Sequence, residues 1–232
     1  MPVSAEKWFE GVGFEVNFWQ AWMKEKGGPR AADYRANLDP NKPFDRMVEA
    51  AIRDTGAREI EVLDVGSGPV TGLGYASEKF DIKITAVDPL ADAYSILWQE
   101  AGETPPVKTE KCFGENLMKH FARRRFHVCH SSNALDHTMD PRTILRAMAQ
   151  LLYPNGLLYV RVFKNEGLNA NYSGLHNWNF DKDDNNNFIL WREAERYKIN
   201  EELSDLLEGQ RLTELAPNPD SALIFVGYRK AT

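Results

Sequence analysis

From residue 60 onwards, short apolar runs rich in β-branched and aromatic residues alternate with stretches of helical periodicity. The runs are Ile60–Val65, Ile82–Val87, Val107–Cys112, Phe126–His130 and Leu158–Phe163, and segments of that length and composition read as strands. Strands alternating with crossover helices predict a parallel sheet covered on both faces. The chain closes differently, with Arg211–Leu215 and Ala222–Tyr228 joined through "APNPD". That connection is too short for a parallel crossover, so it predicts an antiparallel hairpin at the end of the sheet.

Two parts stand outside the alternation. In "GFEVNFWQAWMKEKGG" Phe14, Phe18 and Trp22 recur every four residues, with Trp19 beside them, before Gly27 and Gly28. This predicts a helix whose aromatic stripe enters the core, with Trp19 and Tyr34 left over as an aromatic cap above an acceptor. In the second part, "GLHNWNFDKDDNNNFILW" reads as two aromatic strands around an Asp/Asn turn. The expected organisation is a helical cap at 1–45 and one domain at 46–232, carrying an insertion at about 165–198.

Composition narrows the function. With 232 residues, 43% of them hydrophobic, the chain has material for one sizeable core. A net charge of -6 argues against non-specific attraction to nucleic acid or anionic lipid and towards a small-molecule or glycan partner. The two cysteines, Cys112 and Cys129, form neither a disulfide framework nor a metal-ligand spacing. No signal-peptide pattern or membrane-length apolar run is present, so a cytoplasmic protein is expected. Sequence leaves the oligomeric state open.

The densest signal is "LDVGSGPVTGLG", with four glycines in twelve residues after the first predicted strand. Such a loop lies at the carboxyl end of the sheet, where open α/β folds bind ligands, and is expected to lead into a helix. A dinucleotide fingerprint needs glycine at its sixth position, where Thr71 stands. Asp64, two residues before Gly66, would repel a pyrophosphate. The acid suits S-adenosylmethionine, which carries an ammonium and a sulfonium and no phosphate. Asp88 in "ITAVDPL" ends the second predicted strand, where a carboxylate can accept bonds from ribose hydroxyls.

These strings, together with "CFGENL", "SSNALDHTMDP" and "LLYPNGLLYV", resemble the class I S-adenosylmethionine-dependent methyltransferases over about Ile60 to Tyr228. The resemblance implies an α/β fold: a Rossmann-like seven-stranded mixed sheet with an antiparallel terminal hairpin and helices on both faces. It implies a cofactor site built from Asp64, Gly66, Ser67, Gly68, Asp88 and Pro89, with Glu115 and Asn116 near the adenine and Ser132 and Asn133 near the sulfonium. "NEGLNANYSGLHNWNF" is similar to a bacterial branch associated with surface-glycan or small-molecule modification. The basic run "ARRRF" reads as a solvated helix end, not a nucleic-acid surface.

Methyl transfer to a hydroxyl requires that a proton leave. His137, just past the fourth predicted strand, is the expected general base, with Asp136 orienting it or the acceptor. His176 on the insertion is the rival base, and Trp178 and Tyr172 are expected to line the acceptor. His130, Asp136, His137 and Asp140 offer mixed ligands for a divalent ion; the expectation is that no metal is used. The reading is O-methylation of a sugar-containing or other polar small molecule. The alternatives are N-methylation of a small natural-product amine and a non-catalytic cofactor-binding module.

Overall fold

The computed structural model describes residues 1–53, 56–215 and 221–231. The helices are α1 (Ala5–Lys24), α2 (Ala31–Leu38), α3 (Arg46–Ala51), α4 (Ala91–Ala101), α5 (Leu117–His120), α6 (Pro141–Gln150), α7 (Glu166–Asn169) and α8 (Ile199–Glu202). The main sheet comprises β1 (Glu59–Val65), β2 (Asp81–Asp88), β3 (Glu110–Lys111), β4 (Phe126–Ser132), β5 (Leu152–Phe163), β9 (Leu207–Leu215) and β10 (Ala222–Arg229). Its order is β3-β2-β1-β4-β5-β10-β9. The first five are parallel, and β10 runs antiparallel to both β5 and β9. This is the Rossmann-like mixed sheet expected from the sequence. The "APNPD" connection lies outside the described residues.

Side-chain alternation along the strands sends Leu63, Val65, Cys129, Leu158 and Val160 to one face, where they pack with Leu117 of α5 and Ile144, Leu145 and Met148 of α6. Ile60, Val62, Val128 and Leu157 face the other way, towards Phe44, Val48 of α3 and Leu73. α6 starts where it does because Asp140 accepts from the backbone N–H groups of Arg142 and Thr143, and Pro141 fills the first turn. A third cluster joins the amino-terminal segment to α4 through Met23, Tyr34, Tyr94, Leu97 and Trp98, with Trp19 and Trp22 packed against it.

The structure corrects several sequence expectations. No helix follows β1: residues 66–80 form an irregular loop, and the next helix is α4, after β2. Gly66, Gly68 and Gly74 all take positive φ, which breaks helical geometry before it can propagate. β3 is only two residues long, preceded by Pro105 and Pro106, which have no N–H to donate to a ladder. β5 starts earlier than expected, at Leu152, taking "PNG" into an irregular register with Asn155 at φ 62°. The insertion carries three antiparallel strands, β6 (Asn179–Lys182), β7 (Phe188–Arg192) and β8 (Glu195–Lys198), where two were expected. Phe188 stacks between Phe180 and Phe225 and fixes this small sheet to the main one.

The aromatic stripe of α1 is also corrected. Phe14 and Phe18 are 68% and 57% exposed, and the helix buries Trp8, Gly11 and Met23 instead. Gly11 lies against the backbone of Gly174, closer than a side chain would permit, so the insertion packs on α1 at a glycine and not on the aromatic stripe.

Candidate active site

The carboxyl ends of β1, β2 and β4 bring the glycine loop, Asp88 and the 133–137 segment together. Gly66 has φ 70° and donates its N–H to the Val87 carbonyl at 2.8 Å. A Cβ there would lie closer than 3.0 Å to the Ala134 Cβ, so glycine is required by both conformation and contact. Gly68, at φ 63°, donates to Asp88 Oδ2 at 3.2 Å, and Leu90 N–H reaches Asp88 Oδ1 at 2.9 Å. Burial pushes the Asp88 carboxyl up to about 6, against the opposing pull of those two N–H groups. Ser67 and Thr109 brace the loop from below, with Thr109 Oγ1 donating to the Gly68 carbonyl at 2.9 Å. Pro89 follows in the half-buried turn into α4. Behind this loop a cavity of about 200 Å³ opens between Pro69, Tyr94, Trp98 and Thr109, away from the histidines described below.

Asp64 is buried and bonded to His130 Nδ1 at 2.7 Å, its register partner on β4. Burial of the Tyr75 hydroxyl, and after it the Asp64 charge, push that hydroxyl up to about 12. Glu115 grips the loop before α6, its Oε1 accepting from the Met139 and Asp140 N–H groups at 3.0 Å each, while Asn116 is exposed. Ser132 ends β4. Asn133 follows at φ 50°, with its Oδ1 buried and unpartnered among the described residues.

The two rival histidines share one carboxylate. Asp136, 3% exposed, places Oδ2 2.6 Å from His176 Nδ1 and 3.5 Å from His137 Nε2, and the two ring nitrogens are 3.1 Å apart. The hydrogen bond to Asp136 and the surrounding carboxylates hold His176 above the ordinary imidazole value despite its burial. Three long-range bonds fix the segment: Trp8 Nε1 to the His137 carbonyl (2.7 Å), Asn177 N–H to the Asp136 carbonyl (2.9 Å) and Trp178 Nε1 to the Thr138 carbonyl (3.0 Å). The four-residue metal set of the sequence reading does not assemble, since His130 is bound to Asp64 and Asp140 caps α6.

Two acids absent from the sequence reading border this cluster. Glu15 on α1 places Oε2 3.7 Å from His137 Nδ1 and accepts from Trp19 Nε1 at 2.7 Å. The Glu15–Trp19 spacing of one helical turn was the available signal. Glu166, at the start of α7, bonds to Asn133 and is pushed up to about 7 by burial and by the Asp136 charge. Nothing local in "NEGL" marks it.

The aromatic residues divide. Trp19 lies over Gly68, its nearest ring atom 3.1 Å from where a Cβ would be. Tyr34, at 2% exposure, packs against Trp22 and Trp98 and is core, not cap. Trp178, at 1% exposure, also belongs to the core and not to an acceptor wall. Tyr172 is half-buried and accepts from Asn179 Nδ2 at 3.0 Å.

Residues 34–203 match the model of a family described as a methyltransferase domain. The chain belongs to that methyltransferase family. Its sheet order and glycine loop make it a class I S-adenosylmethionine-dependent methyltransferase. Among curated proteins none matches the sequence. Solved structures do. The Burkholderia thailandensis 1,6-didemethyltoxoflavin-N1-methyltransferase, with bound 1,6-didemethyltoxoflavin and S-adenosylhomocysteine, is similar over 100% of this chain and 93% of its own, at 18% identity and TM-score 0.54. The CurJ carbon methyltransferase is similar over 80% of this chain and 52% of its own, at 15% identity and TM-score 0.52. A Clostridium acetobutylicum S-adenosylmethionine-dependent methyltransferase covers 93% and 98%, at 12% identity and TM-score 0.50. At these identities the likeness is one of fold. No helix among the described residues is long and apolar enough to cross a membrane.

Proposed function

We propose that this methyltransferase transfers the methyl group of S-adenosylmethionine to an oxygen of a small polar acceptor, sugar-containing molecules among them. The cofactor lies along the glycine loop with its ribose at Asp88, and residues 1–45 act as a cap, with Trp19 and Glu15 closing over it. The observation that carries the reading is the convergence of Asp136, His137 and His176 beside Ala134, which itself packs on Gly66. A cluster of proton-accepting groups therefore adjoins the cofactor loop.

An activated methyl needs chiefly an aligned acceptor and the exclusion of water. A hydroxyl acceptor needs one thing more, a group to receive its proton as the new bond forms. His176 is oriented for this by Asp136, whose carboxylate holds its Nδ1; His137 completes the wall. Glu15 and Asp136 border the site with negative potential, which favours the sulfonium in the ground state and argues against an anionic acceptor. S-adenosylhomocysteine release in the presence of a panel of hydroxylated acceptors, compared between the native protein and His176→Ala, tests the proposal. A rate loss confined to turnover is expected.

A second reading is N-methylation. The Burkholderia thailandensis structure that is similar over this whole chain is an N1-methyltransferase. A neutral amine attacks without a base, so on this reading His176→Ala leaves turnover nearly intact.

A further inference from the structure

Asp136 Oδ2, His176 Nδ1 and His137 Nε2 form a triangle with edges of 2.6, 3.1 and 3.5 Å. Each imidazole nitrogen has one in-plane site, and the carboxylate oxygen accepts with two lone pairs. With both of these ring nitrogens unprotonated, three lone pairs are available to one cation at the centre. Ligands about 2.1 Å from a metal and at right angles stand about 3.0 Å apart, and the observed edges bracket that spacing.

The surroundings are those of a ligand set. The backbone of both Asp136 and His137 is pinned by Asn177 and Trp8, and the other nitrogen of His137 faces Glu15 at 3.7 Å. Carboxylates behind metal-bound histidines commonly orient the ring in this way.

We propose that Asp136, His137 and His176 hold a divalent transition-metal ion with open positions towards the acceptor. Two imidazoles and one carboxylate suit Mn²⁺, Fe²⁺, Co²⁺ or Zn²⁺ ahead of Mg²⁺. The inference rests on reading this end of the cleft as the acceptor site. In the loaded protein the imidazoles act as ligands, and the metal takes over activation of the hydroxyl. The metal-bound hydroxyl gives its proton to solvent, the oxygen forms a bond to the methyl carbon, and the carbon–sulfur bond breaks with its electron pair going to sulfur. The products are the methyl ether, neutral S-adenosylhomocysteine and one proton.

The test is a Co²⁺ titration of the full chain, purified free of metal, followed by calorimetry and by visible absorption. Saturation at one ion per chain is expected, with Mg²⁺ failing to compete. His137→Ala and His176→Ala should each weaken binding by more than about 100-fold, beyond the 10–100-fold typical of groups behind the ligands. His120→Ala, which removes an exposed histidine, should not change it. Asp136→Asn alters a buried group, so far-ultraviolet circular dichroism and a thermal melt accompany each variant, and the half-buried His137 decides if Asp136→Asn fails to fold. Absence of saturable binding, or affinity unchanged in both histidine variants, overturns the proposal, the latter meaning an adventitious ion only. Turnover by protein that binds no Co²⁺ would leave the oxygen-acceptor reading standing and sink the metal. Binding without methyl-ether formation would sink that reading and leave the ion site.

Discussion

Replacing Gly66 by alanine tests the joint between the glycine loop, where we propose the cofactor binds, and the 133–137 segment. Two costs arise from the structure. At φ 70° an L-residue is in the left-handed region, at about 1–2 kcal/mol. The new Cβ would also fall within 3.0 Å of the Ala134 Cβ, inside the ~3.5–4.0 Å of a carbon contact; overpacking of this kind costs about 1–3 kcal/mol. Gly66→Ala should therefore lose roughly 2–5 kcal/mol in urea unfolding, read as a fall in midpoint at unchanged slope. Removing the opposing methyl in Gly66→Ala/Ala134→Gly should recover the contact part, about 1–3 kcal/mol, and leave the backbone part. A double-mutant cycle isolates that coupling. Strict additivity of the two substitutions would refute the claim that close approach to Ala134 is one of the reasons for glycine.

Asp88 carries a pH signature. Its carboxyl titrates at about 6 in the fold, above its ordinary value of 3.8. The native state therefore binds the extra proton between those values, and the stability it gives is present below about 3.8 and lost as pH rises through 6. The loss is roughly 3 kcal/mol; Asp88→Asn should remove that slope, and parallel wild-type and variant curves in urea unfolding from pH 4 to 8 would contradict it. Glu115→Ala should destabilise by about 1–3 kcal/mol, because two backbone N–H groups lose their acceptor, while calorimetric S-adenosylhomocysteine affinity stays within a few-fold. A large affinity loss at intact stability would return Glu115 to the adenine.

Four of the five parallel strands and the terminal hairpin were legible because their apolar runs are long enough to read as strands; the run at 107–112 misled, since only Glu110 and Lys111 pair. The loop after β1 was legible as a glycine-rich turn at the carboxyl end of the sheet but not as a coil, since a single helix-ending glycine and a run of positive-φ glycines look alike until the backbone is built. Phe14 and Phe18 misled because helical spacing identifies a stripe without saying what it faces, and α1 turns Trp8, Gly11 and Met23 inward instead. His137 and His176 were each visible, yet their meeting was not. They are 39 residues apart, and the three-stranded insertion sets their distance through contacts such as Trp178 to Thr138. Glu15 and Glu166 were hidden for the same reason. A carboxylate on a helix shows its chemistry only when a partner from another element arrives.

The acceptor atom and the role of the histidine cluster can be read together. S-adenosylmethionine labelled with ¹³C in its methyl group is incubated with the protein and a panel of hydroxylated and aminated small molecules, and the transferred carbon is observed by NMR. An oxygen-bound methyl is expected, with turnover by His176→Ala reduced about 10²–10⁴-fold, the contribution of a group that helps the acceptor hydroxyl lose its proton, and cofactor affinity nearly unchanged. A nitrogen-bound methyl formed at the same rate by both proteins would contradict that expectation.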